Sequence, residues 1–156
     1  MSAHLVEVML RPTGEFYVQV FSTAAGSRAW RADGLPQVVE ADSPPESLGT
    51  TVLSALNRSM IGKFERSTPF DLPSQSPILA WAGVKTWSTY NRDCRVVQVR
   101  GEYEADPPVS VTLTPQARDR TGSYSPLLDL RRHDVHATDP GELGAAILRS
   151  MEDATA

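Results

Sequence analysis

The chain has 156 residues, 40% hydrophobic and 22% charged, a size and balance that suit one self-sufficient domain over residues 1–156. Fifteen basic against nineteen acidic residues give a net charge of −4, shared equally between the two halves. Without a clustered basic face a nucleic-acid partner is not expected, and without a long apolar run neither is a membrane span.

The first elements in chain order are two β-rich runs, Leu5 to Leu10 and Phe16 to Phe21, joined by Arg11-Pro12-Thr13-Gly14-Glu15. Five connecting residues containing Pro and Gly predict a hairpin. Phe16, Val18 and Val20 share one side of the second run, and Tyr17, Gln19 and Phe21 the other. A further short strand is expected at Val38-Val39-Glu40.

Ser43-Pro44-Pro45-Glu46 reads as a capping box with proline in the first turn, opening a helix whose stripe is Leu48, Val52, Ala55 and Leu56. The helix should end near Asn57 to Met60. Asp139-Pro140-Gly141-Glu142 repeats this grammar before Leu143, Ile147 and Met151. Segments 48–56 and 143–151 match in size at every position except Ser54/Arg149, and both carry glycine second. A glycine within a helix costs roughly 1 kcal/mol against alanine, so its placement in both helices predicts a close approach there.

Between the helices, 64–77 reads as a Pro- and Ser-rich loop. Strands are then expected at Lys85 to Tyr90, Arg95 to Arg100, Val109 to Thr114, Leu127 to Leu130 and Asp134 to His136. Short connections imply antiparallel pairing. The expected fold is therefore α+β: one mainly antiparallel sheet with two main helices, about 44–58 and 140–152, packed on one face.

Chemistry-bearing motifs are few. The single cysteine, Cys94, opens an apolar strand and reads as a small hydrophobe. His133 and His136, three apart on a strand, should face opposite ways and fail to converge on a metal. No phosphate loop, nucleophile elbow or zinc motif is present, so neither catalytic residues nor a cofactor are expected. The N-terminal stretch lacks a basic n-region and has a glutamate within its apolar run, which points to the cytoplasm rather than to export.

Two segments suit recognition. Trp81 to Tyr90 is aromatic; Trp87 reads as sheet core, whereas Trp81 is a candidate partner anchor. Glu102-Tyr103-Glu104-Ala105-Asp106 sets three carboxylates on an expected loop, suited to a cationic partner surface.

From Ser43 to the C-terminus, about seventy per cent of the chain, the sequence resembles the immunity proteins of contact-dependent growth inhibition systems, the CdiI family. The likeness rests on the Pro-x-Glu-x-Leu-Gly helix from Pro44, the Trp81, Gly83, Lys85 and Thr86 segment, and Tyr90 with its following strand. Thr114-Pro115 and the Glu142-Leu143-Gly144 helix complete it. It implies a non-enzymatic, cytoplasmic, immunity-type domain whose partner is the C-terminal toxin domain of a secreted effector, in this family often a ribonuclease. Partner contacts are then expected at Trp81, Glu102, Tyr103, Glu104 and Asp106. Two other readings stay open: a small hydrolase or nuclease using Asp134 and His136, and a structural or secretion-adaptor domain.

Overall fold

Alternation of apolar residues at the start of the chain sets up the centre of the sheet. In the computed structural model, which describes residues 3–64, 76–101 and 108–156, β1 (His4–Leu10) and β2 (Phe16–Thr23) form the expected hairpin. Arg11 to Glu15 close it, with Gly14 in the positive-φ conformation. Two short strands, β3 (Trp30–Ala32) and β4 (Gln37–Val39), both pair with β2.

On the other side of β1 lies β5 (Arg95–Gly101), then β6 (Ser110–Arg118), which pairs with both β7 (Tyr124–Pro126) and β8 (Arg132–His136). All these pairings are antiparallel. The fold is the expected α+β arrangement, an antiparallel sheet with two main helices, α1 (Pro45–Arg58) and α4 (Pro140–Asp153).

Register divides the sheet residues cleanly between two sides. Val6 pairs with Val20 and Val99, and Val8 with Val18 and Val97, so these valines share one side. There they meet Leu48, Val52 and Leu56 of α1 and Leu143, Ile147 and Met151 of α4 in the main core. The two helices also pack on each other through their glycines. A methyl group added at Gly49 would lie 1.8 Å from the Pro140 carbonyl oxygen, and one at Gly144 would lie 1.8 Å from that of Pro45. Each glycine thus admits the first turn of the opposite helix.

The caps differ from the expected pair. Asp139 caps α4, its side chain accepting from the Glu142 amide at 3.1 Å. In α1 the cap position falls to Pro44, which has no side-chain acceptor to offer, so Ser43 lies one residue too early. Asp139→Ala should therefore cost about 1 kcal/mol in denaturant melts. Ser43→Ala should change stability by less than about 0.5 kcal/mol.

Two expected strands and the end of an expected loop need correction. Residues 85–90 contain a helical turn, α3 (Trp87–Tyr90), because the Thr86 hydroxyl accepts from the Thr89 amide and caps it. Just before it, α2 (Pro77–Ala82) replaces the end of the expected loop; Pro77 suits its first turn and Gly83 stops it at positive φ. Leu128–Leu130 is a 3-10 turn following Pro126, with Leu128 and Leu130 exposed. The loop residues 65–75 lie outside the described residues.

Candidate functional site

With α1 and α4 on one side, the sheet's second side carries the complementary residues of β1, β2, β5 and β6: Glu7 and Met9, Tyr17 and Gln19, Val96 and Gln98, Thr112 and Thr114. At the Met9 end, α2 and α3 cover it. Ile78, Leu79 and Tyr90 join Met9, Val96 and Cys94 in a second, smaller apolar cluster. Cys94 is fully buried there, and burial pushes its thiol pKa up, opposed by Arg11 and Arg118. It behaves as the small hydrophobe expected, with its proton retained.

Between this cluster and the open part of the sheet lies a cavity of about 350 Å³. Its walls are largely apolar and aromatic, including Tyr17, Phe21, Trp87, Tyr90 and Tyr124, while Glu7 and Gln19 bring polar groups to its floor. Tyr17 meets Trp81 edge-on with ring centroids 5.1 Å apart, and Trp87 meets Tyr90 edge-on at 5.4 Å. The Arg11 guanidinium lies over the Tyr17 ring at 4.7 Å and the Tyr90 ring at 5.2 Å, and donates to the Tyr90 carbonyl. Tyr124 donates its hydroxyl to the Cys94 carbonyl at 2.8 Å, tying β7 to the start of β5.

The polar floor is out of balance. Glu7 sits opposite Gln19 on one side and Gln98 on the other, in the middle of the sheet. Burial raises its pKa from 4.5 to about 7. Gln19, 8% exposed, donates from Nε2 to the carbonyls of Val20 and Gly34, yet its Oε1 is buried without a donor among the described residues. The Gln19 oxygen is thus a buried acceptor without a donor, a costly arrangement, and it lies beside the half-buried Glu7 carboxyl.

A second, more polar hollow of about 290 Å³ lies farther along the same side, lined by residues including Arg100, Arg131 and His133. The His133 and His136 expectation is corrected here. Arg132 pairs with Leu113 and Val135 with Val111, so three residues of β8 span two of β6. This irregularity, with Asp134 at φ 54°, turns both histidines to the second side instead of opposite sides. Among the described residues, no group of three or more His, Cys, Asp or Glu side chains is placed to hold a metal.

Of the residues expected to contact a partner, Trp81 lies on α2 beside the cavity wall, 39% exposed and edge-on to Tyr17. Glu102, Tyr103, Glu104 and Asp106 lie outside the described residues, on the segment that follows β5. Trp87, expected in the core, is 47% exposed, because it sits on a helical turn and not on a strand. Sequence reasoning missed Glu7, although a glutamate within Leu5-Val6-Glu7-Val8-Met9 was the available signal. Among the described residues, no helix is long and apolar enough to cross a membrane.

No family model and no curated protein matches the sequence. Solved structures do match the fold. A protein of unknown function from Neisseria meningitidis superposes with a TM-score of 0.68 at 16% identity, covering 97% of this chain and 95% of its own. A chain of the CdiA-CT/CdiI toxin and immunity complex from Yersinia pseudotuberculosis superposes with a TM-score of 0.69 at 14% identity, covering 99% of each. At these identities the likeness is one of fold, and it extends over nearly the whole length of the chains.

Proposed function

We propose that the chain is a cytoplasmic immunity protein that binds and neutralises the C-terminal toxin domain of a contact-dependent growth inhibition effector. The observation that carries this reading is the end-to-end likeness to a chain of a toxin and immunity complex. Its task is to bind and obstruct, as one immunity-type domain, rather than to catalyse. The aromatic side of the sheet supports the reading. Trp81 and Trp87 expose large apolar area next to a preformed cavity, the combination that dominates binding energy at protein interfaces.

In this reading Trp81 and Tyr103 are anchors, and Glu102, Glu104 and Asp106 are charge partners for a cationic toxin surface. A ribonuclease would present such a surface, since it must attract RNA. The test is co-expression with the toxin end of a large secreted protein encoded beside this chain. Restored growth and co-purification of the two proteins are expected; cells that die equally with and without this chain would remove the proposal.

A further inference from the structure

We infer that the cavity on the second side of the sheet is a receptor for one guanidinium group, supplied by an arginine side chain of the bound partner and held by Glu7 and Gln19 beneath the rings of Tyr17, Tyr90 and Trp87. This rests on the proposed toxin-binding reading and specifies the chemistry of its contact. Three observations converge on it.

The first is a buried acceptor without a donor, set beside a carboxyl. Glu7 and Gln19 are directly opposed across β1 and β2, which sets their Cβ atoms about 5 Å apart. Both line the cavity, and the Gln19 oxygen is buried with no donor among the described residues. A ligand that fits must bring donors, and the planar fork of a guanidinium can serve two adjacent acceptors at once.

The second is the aromatic wall. Ring faces attract cations, and a guanidinium stacks on them. Arg11 demonstrates this within the molecule, lying over two of the same rings. Arg11 does not answer Glu7: it donates to the Tyr90 carbonyl and to the sulfurs of Met9 and Cys94.

The third is size. About 350 Å³ stands near the lower end of the range for ligand pockets, roughly 300–1,000 Å³, which suits one side chain better than a large cofactor. Tyr17, Tyr90 and Tyr124 line the cavity with Glu7, while Arg11, Arg118, Cys94 and Asp93 lie around it outside the lining. Burial holds Tyr90 and Tyr124 neutral, the latter raised to about 12, so ionised Glu7 is the group in the cavity that can answer the ligand's charge.

The probe is N-acetyl-arginine methylamide, titrated into the purified full chain while the Glu7 carboxyl carbon is followed by NMR across pH. Saturation should lower the apparent Glu7 pKa by at least 1 unit and quench tryptophan fluorescence. The neutral citrulline analogue should bind at least tenfold more weakly at pH 8. In the complex, Glu7→Gln should weaken affinity for the toxin domain at least tenfold at pH 8. An unmoved Glu7 titration, or equal binding of the citrulline analogue, overturns the site. Probe binding combined with unchanged toxin affinity of Glu7→Gln overturns the partner arginine as its source. The probe needs no toxin, so failure of the immunity reading would show separately, as loss of protection with the Glu7 shift intact.

Discussion

Gly49→Ala should destabilise the fold by about 3 kcal/mol and lower its melting temperature by roughly 10 °C. In an open helix this substitution would help by about 1 kcal/mol. Here the new methyl would sit 1.8 Å from the Pro140 carbonyl oxygen, a backbone atom that moves only if the helix moves. Gly144→Ala should do the same through Pro45. Once one methyl has parted α1 from α4, the second has more room, so the double variant should cost clearly less than the two singles combined. Gly141 supplies the control. In the first turn of α4, its methyl would approach the Asp139 side chain no closer than 3.4 Å, so Gly141→Ala should be neutral or stabilising by up to about 1 kcal/mol. Thermal melts of these four variants decide the matter; Gly49→Ala melting with the wild type would contradict the close helix crossing.

Glu7→Gln should stabilise the isolated protein, and only at higher pH. Burial raises the Glu7 pKa to about 7, so the folded state holds this proton more tightly than the unfolded chain, whose value lies near 4.5. Below about pH 4.5 the carboxyl is protonated in both states, and wild type and variant should melt alike. As pH rises from there through 7, the unfolded chain ionises first and wild-type stability falls. By pH 8 the loss reaches roughly 3 kcal/mol. Glutamine carries no such penalty, so the variant's advantage should grow to roughly 10 °C over that window. A constant difference between pH 4 and pH 8 would mean that Glu7 ionises as freely as in the unfolded chain. If the variant also loses toxin affinity, Glu7 is a residue whose charge lowers stability while serving binding.

What the sequence disclosed was local. The β1–β2 hairpin was legible because Phe16, Val18 and Val20 alternate with Tyr17, Gln19 and Phe21, and the structure keeps those two sets on opposite sides. The α4 cap was legible because Asp139 and Glu142 have the spacing that one hydrogen bond requires. The paired glycines predicted a close approach, and their reciprocal contacts with Pro140 and Pro45 explain both by one packing demand.

Features set by distant partners were not legible. Thr, Trp and Tyr favour strands, so residues 85–90 read as one; a single hydroxyl cap and the apolar surface beneath α2 and α3 outweighed that preference. The two histidines were misplaced because the bulge in β8 is a property of its pairing with β6. The cavity depends on Glu7, Gln19, Tyr90 and Tyr124, which β1–β5 pairing and the packing of α3 and β7 bring together from far apart in the chain.

The claim that the aromatic side of the sheet is the one that meets the toxin can be measured by hydrogen exchange of the protein with and without that domain. Slowed exchange is expected in α2, α3 and the segment after β5, with the outer surfaces of α1 and α4 unchanged. Slowing confined to α1 and α4, or none anywhere in a mixture of the two proteins, would contradict it.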